Sequence, residues 1–434
     1  MRKYLLLIII ILLSLVKISA EMIIPKNDKL VLGYHTGWAN DSLCKYYNWK
    51  ALDILVYFGY EADYQTGKAK NIYRWNTTSV IDSARNNGVK TQLLVALMSS
   101  FENKSLLENP AICDTLILDL IEKVKYRNSN GISVDFESIP QSQKENFVKF
   151  LTKLRNKMTE LLGKESILSI AAPAVDWNKS WDYKAISEIV DYVVMMGYDY
   201  SYSGSPNAGA VAPLEGNYYN VTKSINDILS SGCKFDKLLL GTPWYGYMWK
   251  VEDMQWGSNT LSRGTAYTYS YIKQLMKEYD AEFDTYTKTK KMRYSDSANF
   301  YQLWFDDSLT LSLKYDLVNE KNIAGIAIWA INYARQEQDL WLGILDKFSM
   351  KNNIAFNHNE IKYTIQDNKI KLINDLNISK IIIFDMLGKD ISDNFKLDLW
   401  NKNIEIKSSY NRNQVIIIQI NDDMNNKYLI KMLI

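Results

Sequence analysis

Cysteine and histidine are nearly missing from this chain, which has three of the first and two of the second in 434 residues. Cys44, Cys113 and Cys233 are far apart and odd in number, so they do not make a disulfide framework. With only His35 and His358 to add, a zinc site is not expected, and no metal or cofactor is expected by the same elimination. Charge of either sign is not concentrated: 51 Lys and Arg oppose 49 Asp and Glu, with no basic block or stripe. Scattered charges of this kind are solvated faces, and nucleic acid is not an expected partner.

Long apolar runs are equally scarce. The first is Tyr4 to Val16, between Met1-Arg2-Lys3 and Ile18-Ser19-Ala20, and no second follows. It is short for a membrane span of ~20 residues, so residues 1–20 read as a signal peptide cut before Glu21, and a secreted or cell-surface protein is expected. An uncleaved anchor is the competing reading, because Ile18 and not a small residue stands third before the cut. Aromatic residues are the surplus: 30 Tyr and 12 Trp help to make 13% of the chain aromatic. Such rings fill cores, and they also stack on the flat C–H faces of sugars.

Short β-rich apolar runs alternate with helical segments over the first 350 residues, the pattern of a parallel α/β sheet. Eight strands are expected: 30–38, 52–59, 90–97, 131–137, 166–173, 189–198, 237–243 and 323–329. Eight such units predict a (β/α)8 TIM barrel within 28–348, where chemistry collects at the carboxyl ends of the strands. Those ends are aromatic, with Tyr34 and Trp38 on strand one, Tyr57, Phe58 and Tyr60 on two, Tyr198 and Tyr200 on six, Trp244 and Tyr245 on seven, and Trp329 on eight. The long stretch between strands seven and eight predicts an α+β insertion at about 248–300, followed by a helix over 309–320. From 352 to 434 the chain turns rich in Asn, Lys and Ile, with alternating runs at 380–385 and 415–420, which predicts a small all-β domain.

The stretch Asn130-Gly131-Ile132-Ser133-Val134-Asp135-Phe136-Glu137 carries the chemistry. On a strand Ser133, Asp135 and Glu137 share one face, and Ile132, Val134 and Phe136 the other. Two acids at the end of a buried barrel strand suit the acid–base work of glycoside hydrolysis; strand-end acids that cap the following helix are the plain alternative.

These residues resemble glycoside hydrolase family 18, the family of chitinases and endo-β-N-acetylglucosaminidases. Residues 130–137 stand in place of the family's Asp-Gly-x-Asp-x-Asp-x-Glu, and Met196-Gly197-Tyr198-Asp199, Gly241-Thr242-Pro243-Trp244-Tyr245-Gly246 and Gly325-Ile326-Ala327-Ile328-Trp329-Ala330 follow in order. The resemblance implies that Glu137 is the general acid and base, that the substrate's own 2-acetamido oxygen is the nucleophile, and that Asp135 and Tyr198 hold that group. It further implies substrate contacts from Asp199, Met196, Trp329, Tyr34, Phe58, Ser133 and Tyr245. Asn130 and Ser133 replace two family acids, and strand three ends Leu97-Met98-Ser99-Ser100-Phe101 without paired glycines. Chitin is the first expected substrate; peptidoglycan, N-glycans and a non-cleaving lectin on the same barrel stay open. The tail, through Ile381 to Lys389 and Lys427-Tyr428-Leu429-Ile430-Lys431, resembles a type IX secretion sorting domain, with a carbohydrate-binding β-sandwich as the competing reading. A monomer whose partner is an N-acetylglucosamine-containing glycan is expected.

Overall fold

A computed structural model of the chain describes residues 29–296, 298–348, 363–366, 369–372, 377–385, 390–407, 415–423 and 427–433. The expected signal peptide lies outside them. The described residues before 349 form one compact unit and those from 363 a second.

Seven barrel strands come first in the chain: β1 (Leu30–Thr36), β2 (Ile54–Ala62), β4 (Lys90–Leu97), β5 (Gly131–Phe136), β6 (Ile167–Pro173), β7 (Tyr192–Met196) and β8 (Leu238–Pro243), with a short antiparallel β3 (Ala69–Asn71) on the end of β2. A separate five-stranded antiparallel sheet follows, made of β9 (Tyr245–Val251), β10 (Thr265–Thr268), β11 (Ala281–Asp284), β12 (Thr289–Ser295) and β13 (Phe300–Phe305). The eighth barrel strand is β14 (Gly325–Trp329). All eight pair in parallel in the order β1-β14-β8-β7-β6-β5-β4-β2, and the β1–β2 pairing closes the ring. This is the expected (β/α)8 barrel.

Helices cover its outside: α1 (Ser79–Asn86), α2 (Ser100–Leu107), α3 (Pro110–Tyr126), α4 (Lys144–Leu162), α5 (Tyr183–Ile189), α6 (Val221–Ser230), α8 (Ser308–Glu320) and α9 (Asp339–Phe348), while α7 (Tyr269–Leu275) belongs to the insertion. Each barrel strand is apolar on both faces because one packs on helices and the other on the barrel interior. Leu32, Val56, Leu94, Val194, Leu239 and Ala327 fill that interior, whereas Val31, Leu55, Leu93, Ile132 and Ile326 pack outward. Strand spacing leaves no room at Gly131, where an added Cβ would sit 1.9 Å from the Ile167 carbonyl oxygen.

Strand boundaries differ from expectation in several places. β5 stops one residue early, just before Ser138 with φ +59°, and β7 starts only at Tyr192, because α5 runs on to Ile189, and stops at Met196, ahead of a turn in which Asp199 has φ +59°; periodicity cannot reveal such left-handed residues. The insertion is wider than 248–300, since its sheet opens at Tyr245 and closes at Phe305. Only Trp244 separates it from β8, so its first residues read as the end of a barrel strand.

The second unit is all-β as expected. One sheet holds β15 (Tyr363–Gln366), β16 (Lys369–Leu372), β18 (Phe395–Asp398) and β19 (Asn403–Ile406), the other β17 (Ile378–Asp385), β20 (Val415–Asp422) and β21 (Lys427–Leu433). Ile370 and Ile404 from the first share a core with Ile383, Ile418 and Ile420 from the second. Residues 386–389 of the expected sorting motif lie outside the described residues.

One ion pair is sealed in the barrel unit. Lys314 of α8 reaches Asp306, just past β13, at 2.6 Å with both side chains 1% exposed. Removing one member of such a pair strands a buried charge, so Lys314→Met should lower stability by about 3–5 kcal/mol. Chemical denaturation checks this; a loss under 1 kcal/mol would show that water reaches the pair.

Candidate active site

The site is built around β5. Its outward residue Phe136 stacks on Phe147 and Phe150 of α4, with ring centroids 6.0 and 5.4 Å away, and this anchors the strand so that Asp135 faces the barrel axis. Glu137 follows the last strand residue. Its backbone is held on two sides: its N–H donates to the Leu97 carbonyl at 2.8 Å, and its carbonyl accepts from Asn103 Nδ2 at 2.5 Å. A side chain on so fixed a backbone is pre-positioned for chemistry.

Asp135 is 6% exposed and its Oδ1 has no hydrogen-bond partner. Burial holds its carboxyl well above the usual carboxylate range, and the Glu137 charge adds to this. Glu137 is also raised, by burial and then by the charge of Asp199. Asp199 is pushed up to about 6 by its confinement at the groove wall, against the pull of a hydrogen bond donated by the Tyr245 phenol. Its open side faces solvent. Three carboxyls this close do not all ionise together, so Glu137 can keep its proton beside charged neighbours, as a general acid needs. The phenols of Tyr34 and Tyr198, both raised chiefly by burial and both facing Asp135, stay protonated donors.

A groove of about 290 Å³ brings together Asp135, Glu137, Tyr198, Asp199, Met196, Trp329, Tyr34, Phe58 and Tyr245 of the expected residues. Trp329 is its floor, with the Tyr34 and Phe58 rings 5.7 and 6.1 Å from it. Ser133 is the exception: it is fully buried one step below Asp135, beside Tyr34, and cannot touch a ligand. The alternation placed it on the right face but could not show its depth. Trp38, Met98, Tyr247 and Tyr333 also line the groove. Tyr247 was readable as the i+2 neighbour of Tyr245, whereas Tyr333, in a 3₁₀ turn after β14, had no local signal. Among the described residues no three of His, Cys, Asp and Glu are grouped so as to hold a metal ion.

Residues 30–334 match the model of the glycosyl hydrolases family 18. The chain belongs to that family. Among family-18 relatives, it is 28% identical to the putative sporulation-specific glycosylase YdhD of Bacillus subtilis, over 52% of each chain. It is 24% identical to the cortical fragment-lytic enzyme of the same organism, over 59% of this chain and 60% of that one. A probable di-N-acetylchitobiase 2 of Dictyostelium discoideum is 26% identical, over 52% of this chain and 66% of the relative. The chain thus spans between about half and two thirds of these relatives' length. In fold, this family-18 barrel is similar to the spore cortex-lytic enzyme SleL of Bacillus cereus, with TM-score 0.63 and 21% identity over 74% and 75% of the two chains. It is likewise similar to a Cycas revoluta GH18 chitinase solved with (GlcNAc)3, with TM-score 0.66 and 21% identity over 73% and 99%.

The raised Asp199 carboxyl has a consequence for stability. Its folded pKa lies above the unfolded value near 3.9, so the folded state binds the extra proton and loses stability as pH rises from about 4 to about 6. Asp199→Asn should therefore melt higher than the parent at pH 8 and gain nothing at pH 4. Equal gains at both pH values would show that ionisation is not the cause.

Proposed function

We propose that this chain is a secreted glycoside hydrolase that cuts β-1,4 bonds on the reducing side of an N-acetylglucosamine residue, by a retaining mechanism in which the substrate's 2-acetamido group takes part. The observation that carries it is the pair Asp135 and Glu137, both raised, two residues apart at the end of β5 above the Trp329 floor in a family-18 barrel. At ~3.3 Å rise per residue the two acids serve one face of one sugar, not opposite faces as in a two-carboxylate scheme.

In this reading the sugar whose bond breaks sits on Trp329. Glu137, protonated, gives its proton to the glycosidic oxygen, and the C1–O bond breaks as the acetamido oxygen bonds to C1. Asp135 accepts a hydrogen bond from the acetamido N–H and balances the positive charge of the cyclic intermediate, and the Tyr198 phenol donates to the acetamido oxygen. Glu137, now ionised, takes a proton from water as that water attacks C1, which opens the ring and restores the acid. Asp199, held by Tyr245, raises Glu137 and so keeps its proton available.

Chitin-type oligosaccharides are the first substrate reading, supported by the aromatic groove. Peptidoglycan glycan strands are the second, favoured by the similarity to cortical fragment-lytic and cortex-lytic enzymes. Export rests on residues 1–20, with release or surface attachment through the C-terminal unit.

Glu137→Gln should lower turnover at least a hundredfold while the fold is kept, since general acid catalysis is worth ~10² to 10⁴. Product analysis on chitin oligomers, glycan strands and a high-mannose glycoprotein measures this, and unchanged turnover would refute the role. A thiazoline mimic of the cyclic intermediate should compete with substrate; lack of inhibition would point away from acetamido participation.

A further inference from the structure

Three buried polar atoms at the base of the groove have no hydrogen-bond partner: Oδ1 of Asp135, the Ser133 hydroxyl and the Tyr34 phenol oxygen. Asp135 lines the groove, yet this oxygen is sealed from solvent, so the carboxylate meets a ligand through Oδ2 and the protein through Oδ1. Burial first, and then the Asp135 charge, push the Tyr34 phenol up, while the Ser133 hydroxyl draws it down, which places the three groups side by side. Protein interiors rarely leave one acceptor and two donors unpaired in one place.

A serine inside a barrel is commonly a space-filler, but the neighbours of this one single it out. At its level in the sheet Ser133 pairs with Leu94 of β4 and Ser169 of β6. Leu94 is apolar, and the Ser169 hydroxyl already donates to Gln92 Oε1 at 3.0 Å. The polar atoms beside Ser133 that still lack a partner are those of Tyr34 and Asp135. The titratable groups around Asp135 are Glu137 on its own segment, Tyr34 from β1, and Tyr198 and Asp199 from the turn after β7. None is a cation, so an ionised Asp135 depends on neutral donors.

We propose that Ser133 is a positioning residue for the reaction: its hydroxyl, together with the Tyr34 phenol, hydrogen-bonds the sealed oxygen of Asp135, directly or through one enclosed water, and so lets Asp135 carry a negative charge while Glu137 keeps its proton. This rests on the hydrolase reading above. Three polar neighbours are the usual complement of a buried water. An acid in place of Ser133 would add a fourth carboxyl to Asp135, Glu137 and Asp199, whereas a hydroxyl donates and brings no charge. Asp135 then meets the acetamido group as a carboxylate, and Ser133 sets the pH above which it can.

The test is the acid limb of the pH profile of kcat, measured on chitotetraose or on glycan strands, whichever the parent cleaves. That limb belongs to the three carboxyls together, so each variant is compared with the parent. Ser133→Thr and Ser133→Val have one shape and differ by the hydroxyl, and Ser133→Ala, which adds no bulk, decides the matter if the larger pair does not fold. Ser133→Val and Ser133→Ala should move the limb up by about one pH unit, a roughly tenfold loss of kcat on its acid side, because Asp135 without its donor gives up its proton only at higher pH. Ser133→Thr should keep the parental limb. Thermal melting identifies a merely structural serine, whose loss lowers the melting temperature and the height of the profile and leaves the limb in place. An unmoved limb in the folded Ser133→Ala variant overturns the role of Ser133 and leaves the hydrolase intact. A parent that cleaves neither substrate at any pH overturns the hydrolase reading itself, and this role with it.

Discussion

A carboxylate placed at the mouth of a packed barrel is far from the water that would stabilise its charge, and most of what distinguishes this site follows from that. Asp135 is almost wholly enclosed, and the groups acting on it and its neighbours are other acids: Glu137 on Asp135, Asp199 on Glu137. The low local dielectric makes each repulsion count, and the protons shared among the three carboxyls are the cheapest relief. Phenols at Tyr34, Tyr198 and Tyr245 supply donors without adding charge, which suits a site where any charge is costly.

The rest of the barrel keeps that arrangement rigid. Phe136 is clamped by two phenylalanines of α4, Glu137 is tied through its own backbone to β4 and α2, and the floor indole is wedged against Tyr34 and Phe58. Packing energy gained on the outer face of β5 is therefore what fixes acids on the inner one. A loop could not hold a desolvated carboxyl so steadily, because it would relax toward water.

Much of this was legible before any coordinates. The strand at 90–97 was readable to the residue, because a run apolar on both faces is bounded by Gly88 and Ser99, and the two acids on one face of β5 follow from alternation alone. Nine of ten expected contact residues do meet in one groove. The failures have a common origin in information that alternation does not carry. Ser133 lies on the correct face but at the wrong depth, Ser138 and Asp199 lie in left-handed turns just past strand ends, and Tyr333 enters from a turn whose path only tertiary contacts define. The insertion was placed too narrowly because β9 begins two residues after β8 and continues its aromatic pattern.

The bond between Tyr245 and Asp199 ties the insertion to the barrel in a way that its position in the chain conceals. Tyr245 is the first residue of the inserted sheet, yet its hydroxyl secures an acid on the turn after β7. A version cut back to the eight strands at Pro243 would lose the donor that steadies this acid, so the first residue of the insertion belongs with the barrel in the site.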